Sequence, residues 1–133
     1  MLEFKTRKKI GIGGEGQIHK DFASLVKKYE FYKKLDCIFW SYNASGEKRT
    51  LTTGALLKAK GLKTGIPDYE FRFARDKILH SLFIEFKYGK GKQAESQIDF
   101  QNKMIGFSNS YYEIARSVQD GISILEKYKL IKE

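Results

Sequence analysis

Apolar residues recur along this chain with two alternating periods. Ile18, Phe22, Leu25, Val26 and Tyr29 fall at helical spacing and form one stripe, so a helix is expected to begin near Glu15. Residues 35–42 are short, aromatic and β-prone, which predicts a strand. The turn-forming residues of 43–49 predict a loop. A second helix is expected from 52 or 53 to 60, carrying Leu56, Leu57 and Ala59, with Gly61 ending it. Gly65-Ile66-Pro67 breaks the chain ahead of a hairpin, with strands over 68–73 and 79–87 and a turn around Asp76. Gly89 and Gly91 open a loop, a third helix spans 94–105, and a short strand follows at 109–112. Ile114, Val118, Ile122, Leu125 and Tyr128 predict the last helix. The order α-β-α-β-β-α-β-α predicts an α/β fold with helices flanking a small mixed sheet.

At 133 residues the chain suits one domain with a core of its own. Residues 1–13 read as a basic flexible arm and 14–133 as a single domain. No apolar run reaches the ~20 residues of a membrane span, and Met1-Leu2-Glu3-Phe4-Lys5 lacks the apolar segment of a signal peptide. One cysteine, Cys37, excludes a disulfide framework and a cysteine-rich zinc site, and it reads as a core residue. A reducing, cytoplasmic setting is the expectation. The net charge of +9 favours a polyanionic partner, most commonly nucleic acid; the plainer account is a well-solvated surface.

The candidate chemistry is split between Asp68, just after Pro67, and Glu85, two residues before Lys87. Alternation on a strand puts Glu85 and Lys87 on one side and Ile84 and Phe86 on the other. Asp68 alone could be a turn residue, and Glu85 alone could pair with Lys87. Together, two carboxylates and an ammonium suit a divalent cation beside a phosphate and a water. Hard oxygen ligands point to Mg²⁺ or Mn²⁺, with the Phe86 backbone carbonyl as a further ligand. Lys87 would then stabilise charge building on the phosphate or orient the attacking water.

Gly65-Ile66-Pro67-Asp68, then Phe83-Ile84-Glu85-Phe86-Lys87, then Gln97 resembles the VRR-NUC family, a branch of the PD-(D/E)xK nuclease superfamily. Tyr42-Asn43 with Gly46 and Arg49, the approach from Leu57 to Pro67, and Gly106 extend the resemblance over about residues 14–130. One departure is Ala94-Glu95-Ser96-Gln97, where the family often has Ser-Pro-Glu-Gln; the helix start is weakened but the glutamine is kept. The resemblance implies a restriction-endonuclease-like core and a metal-dependent, structure-selective DNA endonuclease, resolving Holliday junctions or cutting flaps in DNA repair. It implies Glu15 as a third acidic ligand, whose plainer role is that of an acid at a helix N-terminus. Gln97 would orient Lys87 or a substrate phosphate, with Gln101 one turn later. Stand-alone members of virus-like or bacterial kind act as homodimers, so a homodimer is expected here.

On the substrate side, Asn43 and Arg49 are placed to straddle the cleft. Lys58, Lys60, Lys63, Lys90 and Lys92 are placed to touch phosphates, which gives affinity without sequence readout. A non-catalytic basic DNA-binding module is the alternative function, and an RNA-directed nuclease a third. Gly11-Ile12-Gly13-Gly14-Glu15-Gly16 has the spacing of a dinucleotide-binding loop, but Thr6-Arg7-Lys8-Lys9-Ile10 is too charged for the buried strand that must precede one, so no nucleotide cofactor is expected. His19, one turn after Glu15, either touches the site or is an ordinary helix residue. His80 has no assigned role. Trp40 and Tyr42 either pack in the core or stack on an unpaired base, with the core favoured for Trp40.

Overall fold

The computed structural model describes residues 14–43 and 50–132. The arm expected at 1–13 and the predicted loop residue Arg49 lie outside them. Eight elements follow in the expected order: α1 (Gly14–Phe31), β1 (Phe39–Tyr42), α2 (Leu51–Ala59), β2 (Tyr69–Arg75), β3 (Ile78–Phe86), α3 (Glu95–Met104), β4 (Ser110–Ala115) and α4 (Val118–Lys127). The strands form one mixed sheet in the order β1-β2-β3-β4, antiparallel except for the parallel β3–β4 pair. The molecule is therefore α/β, with four helices around a four-stranded sheet.

Alternation along the strands sorts the sheet into two faces. Tyr69, Phe71 and Phe73 of β2 and Leu82, Ile84 and Phe86 of β3 are buried on one face. There they join Phe22, Leu25, Val26 and Tyr29 of α1 and Val118, Ile122 and Leu125 of α4 in a single core. Phe22 sits at its centre, with ring centroids 5.0 Å from Tyr69 and 4.9 Å from Phe86. Burying each such ring contributes on the order of 2–3 kcal/mol. On the other face Phe83 meets Phe100 of α3 edge-on at 5.1 Å. α4 approaches closely at Gly121, where a Cβ would lie 2.7 Å from the Phe22 ring and 2.9 Å from Phe86.

The β2–β3 hairpin closes through Asp76 and Lys77, both in the left-handed region at φ 53° and 65°. A two-residue loop of that kind matches the twist of its strands and pairs Arg75 with Ile78. α2 is capped by Thr50, whose hydroxyl accepts the Thr53 N–H at 3.1 Å. It ends at left-handed Gly61, with the Leu62 N–H on the Leu57 carbonyl at 3.0 Å. None of its residues is buried.

Three expectations need correction. The strand over 35–42 is shorter: Leu35 makes only an isolated bridge with Ile131, and β1 begins at Phe39. Ile114, assigned to the last helix, belongs to β4; Ser117 caps α4 through the Asp120 N–H at 3.0 Å and starts it later. Cys37 is only partly buried, packed against the core and not inside it. Trp40 also packs against the core, stacked on Phe71 at 5.8 Å with its indole N–H on Glu30 at 3.1 Å, while Ile38 is exposed.

Candidate active site

Asp68 and Glu85 meet because of the hairpin register. Tyr69 pairs with Ile84, so one step further towards the open end the two acids come opposite each other on the α3 side of the sheet. The Asp68 Oδ2 accepts the Phe86 backbone N–H at 2.7 Å, which ties the first acid to the strand that carries the second. The Asp68 carbonyl in turn accepts the Asn43 N–H at 2.7 Å, so β1 leads its following loop to the same point. Gly65, at φ 82°, lets the approach to Asp68 pass against α3: a Cβ there would lie 2.5 Å from the Ser96 carbonyl oxygen.

α1 delivers its first turn to the same place. Glu15 and His19 are one turn apart, and the His19 Nε2 lies 3.9 Å from Glu15 Oε1 and 3.8 Å from Asp68 Oδ2. One donor atom from each of Glu15, His19 and Asp68 lies within 4.8 Å of the others. A cleft of about 790 Å³ is lined by Glu15, His19, Asp68, Glu85, Lys87 and Gln97, with Lys20, Tyr42 and Tyr69 at its walls. Five residues singled out in the sequence as catalytic or ligating thus share one cavity.

Glu85 is the least comfortable of them. It is 2% exposed, and its Oε1 has no hydrogen-bond partner among the described residues. Among the described residues its charge partner in contact is Lys87, with Nζ 3.7 Å from Oε2. Burial, then the neighbouring Asp68 carboxylate, push the Glu85 carboxyl up to about 8; Lys87 opposes this and Glu15 adds to it. A buried carboxylate oxygen with nothing to accept is costly unless a cation or proton joins it. The buried Glu85, the half-buried Asp68, the exposed Glu15 and a nearby imidazole form a donor set that suits a divalent cation.

Other predicted residues fall around this centre. The Phe86 side chain is core and only its backbone reaches the site. Gln97 lines the cleft, but its Oε1 accepts the Ala94 N–H at 2.8 Å and so completes the helix start that Ala94, lacking a side-chain acceptor, cannot cap. Gln101 lies outside the cleft lining and accepts from Gln93 Nε2 at 2.9 Å. Lys58, Lys60, Lys63, Lys90 and Lys92 are exposed and do not line it.

Sequence reasoning missed Gln93 and Tyr112. Gln93 also donates to the Tyr112 hydroxyl at 3.2 Å. Burial raises the Tyr112 phenol to about 12 against the Gln93 hydrogen bond, with Glu85 and Asp68 adding to the rise. Burial also raises the Tyr69 phenol, helped by Tyr42 and Asp68. Their only sequence signal was alternation along β4 and β2. Comparison of the chain with protein-family models, with curated proteins and with solved structures gives no match.

Proposed function

We propose that this chain is a divalent-metal-dependent DNA endonuclease of the VRR-NUC kind, with a PD-(D/E)xK core and a preference for branched or flap structures. The observation that carries the reading is the convergence of Asp68, Glu85 and Glu15 with Lys87 in one cleft, where Glu85 Oε1 is buried without a partner. Glu15, Asp68, Glu85 and the Phe86 backbone carbonyl would hold Mg²⁺ or Mn²⁺. Such an ion, when bound, polarises a phosphate oxygen and lowers the pKa of a water.

The chain's own groups complete the chemistry. Asp68 is held in place by the Phe86 N–H and cannot swing out of the cleft without breaking that bond. Glu85 would bind a cation in its deprotonated form, so protons and a cation would compete for its oxygens. Lys87, beside Glu85 in the cleft, would face the scissile phosphate, where a preorganised ammonium would stabilise developing negative charge. The amide end of Gln97 has donors to offer a phosphate oxygen. Lys58, Lys60 and Lys63 on one side and Lys90 and Lys92 on another extend a positive surface for the backbone of the substrate. A two-fold dimer would present two such clefts to the two strands of a junction.

The test is a cleavage panel of junction, flap, duplex and single-stranded DNA, with matched RNA, run with Mg²⁺ and with Mn²⁺. Asp68→Ala, Glu85→Ala and Lys87→Ala are each expected to abolish cleavage and to leave DNA binding in place. A wild-type protein that binds DNA but cuts no member of the panel under either ion refutes the enzymatic reading and leaves a binding module. Faster cleavage of the RNA set would move the substrate class to RNA.

A further inference from the structure

We propose that His19 is a nitrogen ligand of this centre and that it biases the centre towards Mn²⁺ over Mg²⁺. This rests on the metal-site reading given above and adds a ligand that the PD…ExK pattern does not contain.

The argument begins with a tautomer. The Tyr69 hydroxyl lies 3.2 Å from the His19 backbone carbonyl and 3.3 Å from the His19 Nδ1. A carbonyl only accepts, and a phenol has one hydrogen. With that hydrogen on the carbonyl, the contact to Nδ1 is made by an Nδ1–H donating to the phenol oxygen. The neutral ring then carries its lone pair on Nε2. This is the nitrogen that faces Glu15 and Asp68.

The distances point the same way. The His19 Nε2 separations from Glu15 and Asp68 are 3.9 and 3.8 Å, too long for hydrogen bonds, and one donor atom from each of the three residues lies within 4.8 Å of the others. The ring is also locked: Phe86 meets it edge-on at 5.3 Å and Tyr42 at 5.4 Å, and its side chain is 15% exposed. A metal-binding histidine whose other nitrogen donates a hydrogen bond that sets ring and tautomer is a recurrent arrangement. Glu85, whose Oε1 has no hydrogen-bond partner among the described residues, lines the same cleft and adds a further carboxylate suited to a cation. Imidazole nitrogen suits the later first-row ions best; Mn²⁺ is the weakest of that series, but it accepts nitrogen more readily than Mg²⁺, which is held by oxygen. A mixed nitrogen and carboxylate set therefore raises affinity for Mn²⁺ more than for Mg²⁺.

The first experiment is electron spin-echo envelope modulation on ¹⁵N-enriched wild-type protein loaded with Mn²⁺ alone. A directly bound nitrogen is expected to appear in the spectrum, to vanish in His19→Gln and to persist in His80→Gln. His80 is the second of the chain's two histidines, and it stacks on Tyr111 and Phe73, bonded to the Tyr111 hydroxyl at 3.0 Å. The second is calorimetric titration, in which His19→Gln is expected to weaken Mn²⁺ by about 10-fold or more and Mg²⁺ by much less. Mn²⁺ bound to the wild type without nitrogen coupling, or with unchanged affinity in His19→Gln, overturns the ligand assignment and leaves the nuclease reading standing. Mn²⁺ bound through nitrogen by a protein that cuts nothing supports the assignment and overturns the nuclease reading. No Mn²⁺ binding by the wild type overturns both.

Discussion

Replacing Glu85 by glutamine is expected to stabilise the metal-free protein and to do so more strongly as pH rises. The Glu85 carboxyl is pushed from 4.5 to about 8 in the fold. The folded state therefore holds a proton that the unfolded chain gives up. For an acid with a raised folded pKa, stability is full below the unfolded value and falls as pH climbs from 4.5 to about 8. Taken alone, a shift of that size converts to roughly 5 kcal/mol at 1.36 kcal/mol per unit. The attraction of Lys87, at 3.7 Å, is already contained in that shift, so glutamine avoids the buried charge with no further cost for the lost pair. The net stabilisation is therefore expected to approach ~5 kcal/mol at about pH 9 and to be close to nil at about pH 4, where both side chains are neutral. The assay is urea unfolding of wild type and Glu85→Gln from pH 4 to 9 with a chelator present. Excess Mn²⁺ is expected to raise the wild-type midpoint and to leave Glu85→Gln where it was, because a ligand stabilises only the form that binds it. A stability difference that stays flat across the pH range refutes the reasoning, since it would mean that Glu85 is not held in a medium that resists its charge.

Two further outcomes are expected. Gly121→Ala puts a Cβ within 2.9 Å of the buried Phe22 and Phe86 rings, so α4 must move off the core, and thermal unfolding is expected to report a loss of about 1–3 kcal/mol. On the proposed reading, exchanging Lys58, Lys60 and Lys63 together for alanine weakens duplex binding without regard to sequence and reduces the slope of log affinity against log salt by about 3; a slope unchanged in fluorescence anisotropy removes these lysines from the interface.

Periodicity carried the fold a long way, because each helix and strand presents a face to one core. Phe22, Leu25, Val26 and Tyr29 announced α1 by their spacing, and all are buried. Spacing misled at Ile114, which lies four positions before Val118 and extends the stripe backwards past the Ser117 cap. α2 shows the opposite limit: Leu56, Leu57 and Ala59 read as the inside of a helix, yet Leu56 is 55% exposed and no residue of α2 is buried. Composition says what a face is made of, not what covers it. The centre of the site was legible because Asp68 and Glu85 lie on the two arms of a hairpin, where local sequence sets proximity. The tie between His19 and Tyr69 spans 50 positions, and the contact of Gln93 with Tyr112 depends on a parallel β3–β4 pair that no local pattern encodes. The role of Gln97 was half visible: the missing serine at Ala94 was noted, but not that the glutamine itself would take over part of the capping.

The two-residue turn at Asp76 and Lys77 is a ruler for the chemistry at the other end of the hairpin. It lies eight to nine residues from the acids, roughly 25–30 Å along the strands, and touches nothing in the cleft. Yet it determines that Arg75 meets Ile78 and Tyr69 meets Ile84, and hence which carboxylate stands across from Asp68. Adding a single residue there and letting the strands slip would bring Ile84 or Phe86 to that position, and would send Glu85 to the face packed with aromatic rings. Variation in the length of this hairpin is thus coupled to the site, whereas its surface composition is not. A lineage could silence the centre by an insertion far from it, with every acid and the lysine still present in the sequence.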